Sequence, residues 1–433
     1  MDGLLVCLVV FAITLFLGMP IAFSIGVAGV SYFLCTPDLP LAIIAQKAFN
    51  NTQSATMLAV PLFIFSGNLM NHSGITGHLV KLCDVLTGHM YGNLGQISCV
   101  LSAMMGGCSG SATSDAAMEA RLLGPEMTRR GYSKGWSAAI HGWSSLIVAT
   151  IPPATGLILY GSAGEVSIGR LFTGGIMPGV FMTVALMAAV TITSRKRNYL
   201  PARPKMASFK EIMVALADGI WGMMFPIFLI VFLRTGIMTP SESGAFAAVY
   251  GIIVGKFIYK ELTWESFKLA VKDSVKDVAN VMLIIALSGI FGYAVVYERL
   301  PAVVGEALLA FTTNKYMMLF LIGMVLIFMG MFVSSTVVTL MMTPIFVPVI
   351  KQLGIDPVHF GLIMMTLTTA GNMTPPVGQA LYAVSSIMEC PPEETVKESI
   401  PFVIAILVVV LIMVLFPKSV LWLPDLLFGA AVY

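Results

Sequence analysis

Hydroxyl, glycine and proline residues cluster in this chain where a plain apolar helix would have no use for them. Gly106-Gly107-Cys108-Ser109-Gly110-Ser111-Ala112-Thr113-Ser114-Asp115 interrupts one apolar stretch, and Thr150-Ile151-Pro152-Pro153-Ala154-Thr155-Gly156 interrupts the next. A helix that stops at such a break leaves carbonyl oxygens free, which together with hydroxyl oxygens suit a hard cation such as Na⁺. A helix that restarts there presents free N–H groups and a positive dipole end, which suit a carboxylate. Ser111, Ser114, Thr336 and Thr374 are of the types that cap a helix start, and Pro152 and Pro375 suit a first helical position. Asp115 and Glu119 lie one turn apart just beyond the first break. An intramembrane carboxylate is a functional candidate by default, so Asp115 is expected to carry a proton or help hold a cation. Glu119 reads as a partner for the helix dipole, and Glu126 with Arg130 as a surface i,i+4 pair.

The same punctuation returns after a shift of 223 residues without a gap. Gly107 falls on Gly330, Ser111 on Ser334, Thr113 on Thr336, Pro125 on Pro348, Gly131 on Gly354, and Pro152-Pro153 on Pro375-Pro376. With Met118 on Met341 and Ile140 on Ile363 there are nine identities over 47 columns. Two equivalent ion sites follow as an expectation. One uses Ser109, Ser111 and Thr113 with Ala149, Thr150 and Ile151; the other uses Ser334, Ser335 and Thr336 with Gly371, Asn372 and Thr374. Gly107, Gly110, Pro152, Pro153, Pro375, Pro376 and Gly378 shape the backbone around them.

The elements that must hold these breaks are membrane helices. Of 433 residues 58% are hydrophobic and 11% charged, with a mean hydropathy of +0.91. Soluble domains carry about 25% charged residues, so the chain reads as an all-α polytopic membrane protein. A net charge of +2 is too small to suggest a nucleic-acid partner, and the six cysteines show no metal or redox spacing. The start of the chain lacks a basic region and a cleavage site, and reads as a first spanning helix. Leu4–Leu34 is broken at Gly18-Met19-Pro20 into two short helices. A polar stretch around Asp38, Lys47 and Asn50–Ser54 leads to a third span from Met57. Residues 77–91 and 262–277 read as amphipathic helices in the interface.

Two re-entrant hairpins, 93–129 and 316–352, are each followed by a broken helix, 135–162 and 356–388. Spans are expected at 167–193, 220–233, 243–259 and 278–296, with a short segment at 301–312 and an apolar close at 400–433. The division is a first repeat over 1–200, a basic cytoplasmic linker over 201–218, and a second repeat over 219–433. Placing 77–92, 129–134, 195–218, 256–276 and 389–398 in the cytoplasm gives that face 16 of the 24 basic residues. The first hairpin then opens from the cytoplasm and the second from the other side. Inverted repeats with broken helices mark secondary transporters. An intramembrane enzyme would need a nucleophile–base pair or metal ligands at depth, and no His-Glu or paired-Asp motif is present.

The stretches SGSATSDAAMEARLLGPEMTRRGY, IPPATGLILYG, VPVIKQLGIDPVHFGLIM and TPPVGQALYAVSSI, with PLFIFSGNLMNHSGIT, closely resemble the large membrane subunit of tripartite ATP-independent periplasmic (TRAP) transporters, the DctM-like family. The resemblance covers essentially the whole chain. It implies Na⁺-coupled import of an organic acid across a bacterial inner membrane, with Na⁺ as coupling ion and no other cofactor. It implies a periplasmic substrate-binding protein and a small four-helix membrane subunit as partners, and elevator-type movement of the hairpins against a scaffold. A stand-alone Na⁺- or H⁺-coupled dicarboxylate symporter of similar fold remains the alternative. Where many relatives have an acidic residue followed by proline at the second tip, this chain has Ser334-Ser335. Gly371-Asn372-Met373 replaces a more apolar run.

Overall fold

The structure, a computed structural model, describes residues 2–54, 57–106 and 111–429. Gly107, Ser109 and Gly110, expected above to shape or line the first ion site, lie outside the described residues. All regular structure in those residues is helical.

In chain order come α1 (Asp2–Phe16), α2 (Ile21–Leu34), α3 (Ala42–Thr52), α4 (Ala59–His72), α5 (Ile75–Thr87), α6 (Asn93–Met105) and α7 (Ala112–Arg129). α8 (Lys134–Val148), α9 (Thr155–Ala163), α10 (Ile168–Lys196), α11 (Phe209–Thr235), α12 (Pro240–Ile253) and α13 (Trp264–Tyr297) follow, with a π-helical turn at Val254–Ile258. The last are α14 (Leu300–Phe311), α15 (Lys315–Phe332), α16 (Ser335–Gln352), α17 (Pro357–Gly371), α18 (Gln379–Ile387), α19 (Pro392–Leu415) and α20 (Lys418–Phe428). Six of them (α10, α11, α13, α15, α16 and α19) are long and apolar enough to cross a membrane.

These helices form two packed groups. An outer group joins α1 to α2, sets α2, α3 and α4 against α13, and lays α12 on α4 and α11 on α5. The inner group holds both helix pairs: α8 packs on α6, α7 and α19, while α17 packs on α15 and α16. The groups meet where α5 packs on α6, α4 touches α9 and α13 touches α16. Small residues permit the closest approaches. A Cβ on Gly29 of α2 would lie 3.0 Å from the Phe291 backbone nitrogen of α13. One on Gly330 would lie 2.5 Å from the Thr368 carbonyl oxygen, which is why α15 and α17 touch backbone to backbone.

The helix pairs keep the register seen in the sequence. α16 begins and ends 223 residues after α7, and α17 does so after α8. Their starts are capped at matching positions, Ser133 accepting from the Trp136 N–H at 3.4 Å and Asp356 from the Val358 N–H at 2.7 Å. Gly131 and Gly354, both at positive φ, turn the chain before those caps.

Three expectations need correction. The polar stretch before α4 contains a helix, α3, whose side packed on α13 buries too little to give a strong apolar pattern. The amphipathic segment at 262–277 and the span at 278–296 are one 34-residue helix, α13. Its charges change at Asp277, but no breaker interrupts it. At 1.5 Å per residue it is about 51 Å long and overruns a membrane core of about 30 Å. The basic linker is shorter than 201–218, since a Ser208–Glu211 capping box starts α11 at Phe209.

Candidate functional site

Both hairpin tips and the first broken helix meet at one cavity of about 170 Å³ between the two groups. Its inner wall is Ser111 and Ser114 from the start of α7, Thr155 from the start of α9 and Thr336 from the start of α16. Three helix N-termini therefore face one space, each with N–H groups that have no partner within the helix. The outer wall is Ile64, Gly67, Asn68 and Asn71 of α4 with Asp277, Asn280 and Val281 of α13. Asn68 Nδ2 donates to Asp277 Oδ2 at 2.9 Å, tying these helices together. One turn along, His72 Nε2 and Asp273 Oδ2 lie 3.1 Å apart. A larger cavity of about 530 Å³ opens elsewhere between the groups, with Lys47, Ser162, Tyr293 and Pro344 in its lining. It reaches neither tip.

The sequence-predicted site residues are only partly gathered here. Ser111 occupies the N-cap position of α7 and Ser334 that of α16, but neither side chain makes the capping bond. Their oxygens are left for another partner. Thr113 and Ser335 lie in the first turns of α7 and α16, one residue from cavity-lining positions. Pro152-Pro153 and Pro375-Pro376, each joined by a cis peptide bond, precede their helices by several residues and do not start them. Each proline pair sits in the loop instead, the first buried and the second exposed. Thr374 does not cap α18. Its Oγ1 donates back to the Ala370 carbonyl at 2.9 Å.

Ala149 and Thr150 are buried at the end of α8, where Thr150 Oγ1 donates to Leu146 O at 3.1 Å, and Ile151 beside them is half-buried. Gly371 ends α17 against Gly330. Asn372 accepts the N–H groups of Ala380 and Leu381 on its backbone oxygen, while its side-chain Oδ1 is buried and unpartnered. Gly378, at φ 28°, donates to the Met331 carbonyl at 2.9 Å and so links the second break to α15. Asp115 is buried behind the first tip, its Oδ2 3.1 Å from Ser102 Oγ.

Glu119 is not a simple dipole partner. It is fully buried between α6, α7 and α8, accepting from Ser102 on Oε1 at 2.7 Å and from Ser144 on Oε2 at 3.0 Å. Ser98 also donates to Oε2 and lies 3.0 Å from His141 Nδ1. Ser102 contacts both carboxylates with a single hydroxyl hydrogen, so it serves one at a time. The serine stands between acid and imidazole, whereas an activated nucleophile needs the imidazole between the other two. Among the described residues, no group of three or more His, Cys, Asp or Glu is placed to hold a metal ion.

Sequence reasoning missed the outer wall and the Glu119 network. Asn68 and Asn71 inside an apolar span, and Asn280 at the edge of another, were the available signal, since polar groups at membrane depth are costly unless used.

Six helices long and apolar enough to cross a membrane, with a polar cavity between two helix groups, define a multi-pass membrane protein with a candidate solute site. The particular family follows from comparison. The model of the tripartite ATP-independent periplasmic transporter, DctM component, matches residues 8–419, and the chain belongs to that family. It is a family of transporter permeases, not enzymes. The chain is 34% identical over 402 residues to the isethionate TRAP transporter permease protein DctMQ of Oleidesulfovibrio alaskensis, covering 93% of this chain and 63% of that one. It is 32% identical to the sialic acid TRAP transporter large permease protein SiaM of Vibrio cholerae, over 96% of this chain and 97% of that one. It is 30% identical to the C4-dicarboxylate TRAP transporter large permease protein DctM of Pseudomonas aeruginosa, covering 93% and 94% of the two chains. In fold it is similar to the YdaH transporter of Alcanivorax borkumensis, with a TM-score of 0.64 and 14% identity, over 87% of this chain and 89% of that one.

Proposed function

We propose that this chain is the large permease subunit of a three-part, Na⁺-driven importer of an organic acid in a bacterial inner membrane. A periplasmic binding protein delivers the acid and a small four-helix membrane subunit packs beside the large one. The observation that carries this reading is the cavity walled by Ser111, Ser114, Thr155 and Thr336. Three helix starts supply N–H donors and positive dipole ends to a carboxylate without a fixed cation.

Two Na⁺ sites flank it in the proposal. Ser111 and Thr113 with Ala149–Ile151, and with Ser109 beyond the described residues, form the first. Ser334, Ser335 and Thr336 with Gly371, Asn372 and Thr374 form the second. The unpartnered Asn372 Oδ1 and the Thr374 hydroxyl, whose hydrogen is already committed to Ala370 O, leave oxygen lone pairs for a cation there. The inner group then moves as a body against the outer group, carrying acid and cations, and the two repeats lie in opposite orientations. In this movement α5 on α6, consecutive in the chain, acts as the joint, and α4 on α9 and α13 on α16 are the contacts that slide.

Reconstitution of the complex in liposomes tests this. Uptake is expected to need both the binding protein and a Na⁺ gradient. Full-rate uptake of free acid without the binding protein contradicts the three-part reading, and undiminished uptake in choline chloride contradicts Na⁺ coupling.

A further inference from the structure

The two walls of the cavity have opposite hydrogen-bonding character. The inner wall offers donors, the N–H groups at the starts of α7 and α16 that have no partner within their own helices, with Thr155 of α9 beside them. The outer wall offers acceptors. Asp277 contributes a carboxylate with about four lone-pair sites, of which one receives Asn68 Nδ2. Asn71 contributes a side-chain Oδ1 that is buried and has no hydrogen-bond partner. Among the described residues no Lys, Arg or His lines the cavity. A second carboxylate on the ligand would face Asp277 with nothing to neutralise either charge, and like charges so placed are a device for rejecting the wrong ligand.

Resting on the carboxylate reading above, we propose that the site selects acids whose far end bears a hydrogen-bond donor, a hydroxyl or an ammonium group, and that Asp277 and Asn71 read that donor. The carboxylate lies against the helix starts and the donor against the outer wall. Dicarboxylates of equal length are excluded by Asp277. A ligand with a methyl far end leaves the Asn71 oxygen unanswered, which costs binding because that buried acceptor stays unpaired.

The test is direct binding to the purified permease, with its small subunit where that co-purifies, in NaCl and without any binding protein to preselect the ligand. Two length-matched series serve as probes: succinate, butyrate, 4-hydroxybutyrate and 4-aminobutyrate, then adipate, hexanoate, gluconate and 6-aminohexanoate. Binding of the hydroxyl or amino member about tenfold tighter than the dicarboxylate and the methyl-ended acid supports the proposal. Which of the two wins assigns the donor. In Asp277→Asn that preference is expected to fall by about tenfold and the dicarboxylate to gain.

Equal or tighter binding of the dicarboxylate by the unaltered protein overturns the proposal and leaves the organic-acid reading standing. An unchanged preference in Asp277→Asn, in a variant that keeps its melting temperature, overturns the role of Asp277. Binding of no acid in either series, with or without Na⁺, counts against the carboxylate site itself.

Discussion

The two helix pairs share a backbone plan and differ in what they bury. Behind the first tip Ser98, Ser102, Asp115, Glu119, His141 and Ser144 form a buried polar network, in which Asp115 Oδ1 and His141 Nε2 have no partner. The 223-residue shift places Leu321, Val325, Val338, Met342, Met364 and Leu367 at those positions in the second pair. The second pair is held instead by a backbone contact between Gly330 and Gly371, while Thr339 and Thr343 satisfy their hydroxyls within their own helix at 2.7 and 2.6 Å. One fold unit is therefore kept together by hydrogen bonds and its counterpart by close apolar packing. The lesson concerns the tips. Both present helix starts and hydroxyls to one cavity, so the shared chemistry lies there, while the interior behind each tip was free to diverge.

The largest effect is expected from breaking the polar interior. Glu119→Leu leaves the Ser98, Ser102 and Ser144 hydroxyls without their common acceptor, at a cost of about 3 to 5 kcal/mol, read as a large drop in the melting temperature of the purified protein. Converting all six network residues to their apolar counterparts is expected to recover at least half of that loss, because whole buried networks can often be exchanged for apolar packing. Failure to recover any of it would show that the two interiors are not interchangeable.

Next comes the apolar pair. Gly371→Ala puts a methyl group 2.7 Å from the Gly330 backbone and should cost about 2 kcal/mol through a forced helix shift. The matched position in the first pair, Val148, already carries a side chain. Val148→Ala should cost less, about 1 kcal/mol, and equal losses would contradict the contrast in packing. At the tips, Ser111→Ala and Thr336→Ala should each weaken acid binding by about fivefold with little change in stability.

The smallest effect belongs to the hairpin base. Arg130 donates to Glu126 at 2.6 Å, and this hydrogen bond first, with Arg129 nearby, holds the Glu126 carboxyl below its ordinary value of 4.5. A depressed carboxyl adds stability above its unfolded pKa and loses it as pH falls through the folded value. Glu126→Gln should therefore change stability by less than about 0.5 kcal/mol at neutral pH. Any difference should vanish in acid below the folded value.

Much of the inner group was legible because glycines, prolines and serines in apolar sequence are costly, and their recurrence fixed α7 with α16 and α8 with α17 in register. The outer wall was not. Asn68, Asn71, Asp277 and Asn280 stand on separate helices with no recurrence to connect them, and only packing of α4 on α13 brings them together. Glu119 was underestimated because its partners, Ser98, Ser102, His141 and Ser144, are ordinary residues until three helices converge. The continuity of α13 was hidden by a change of composition that marks depth and not a chain break.

The central claim is that both tips serve one chamber, and thiol modification of single cysteines at Ser111 and at Thr336 tests it most directly. With native cysteines replaced and the complex reconstituted in liposomes, modification at either position is predicted to stop uptake, and a transported acid to protect both in parallel. Protection of one cysteine alone, or full uptake after either is modified, would contradict the single chamber.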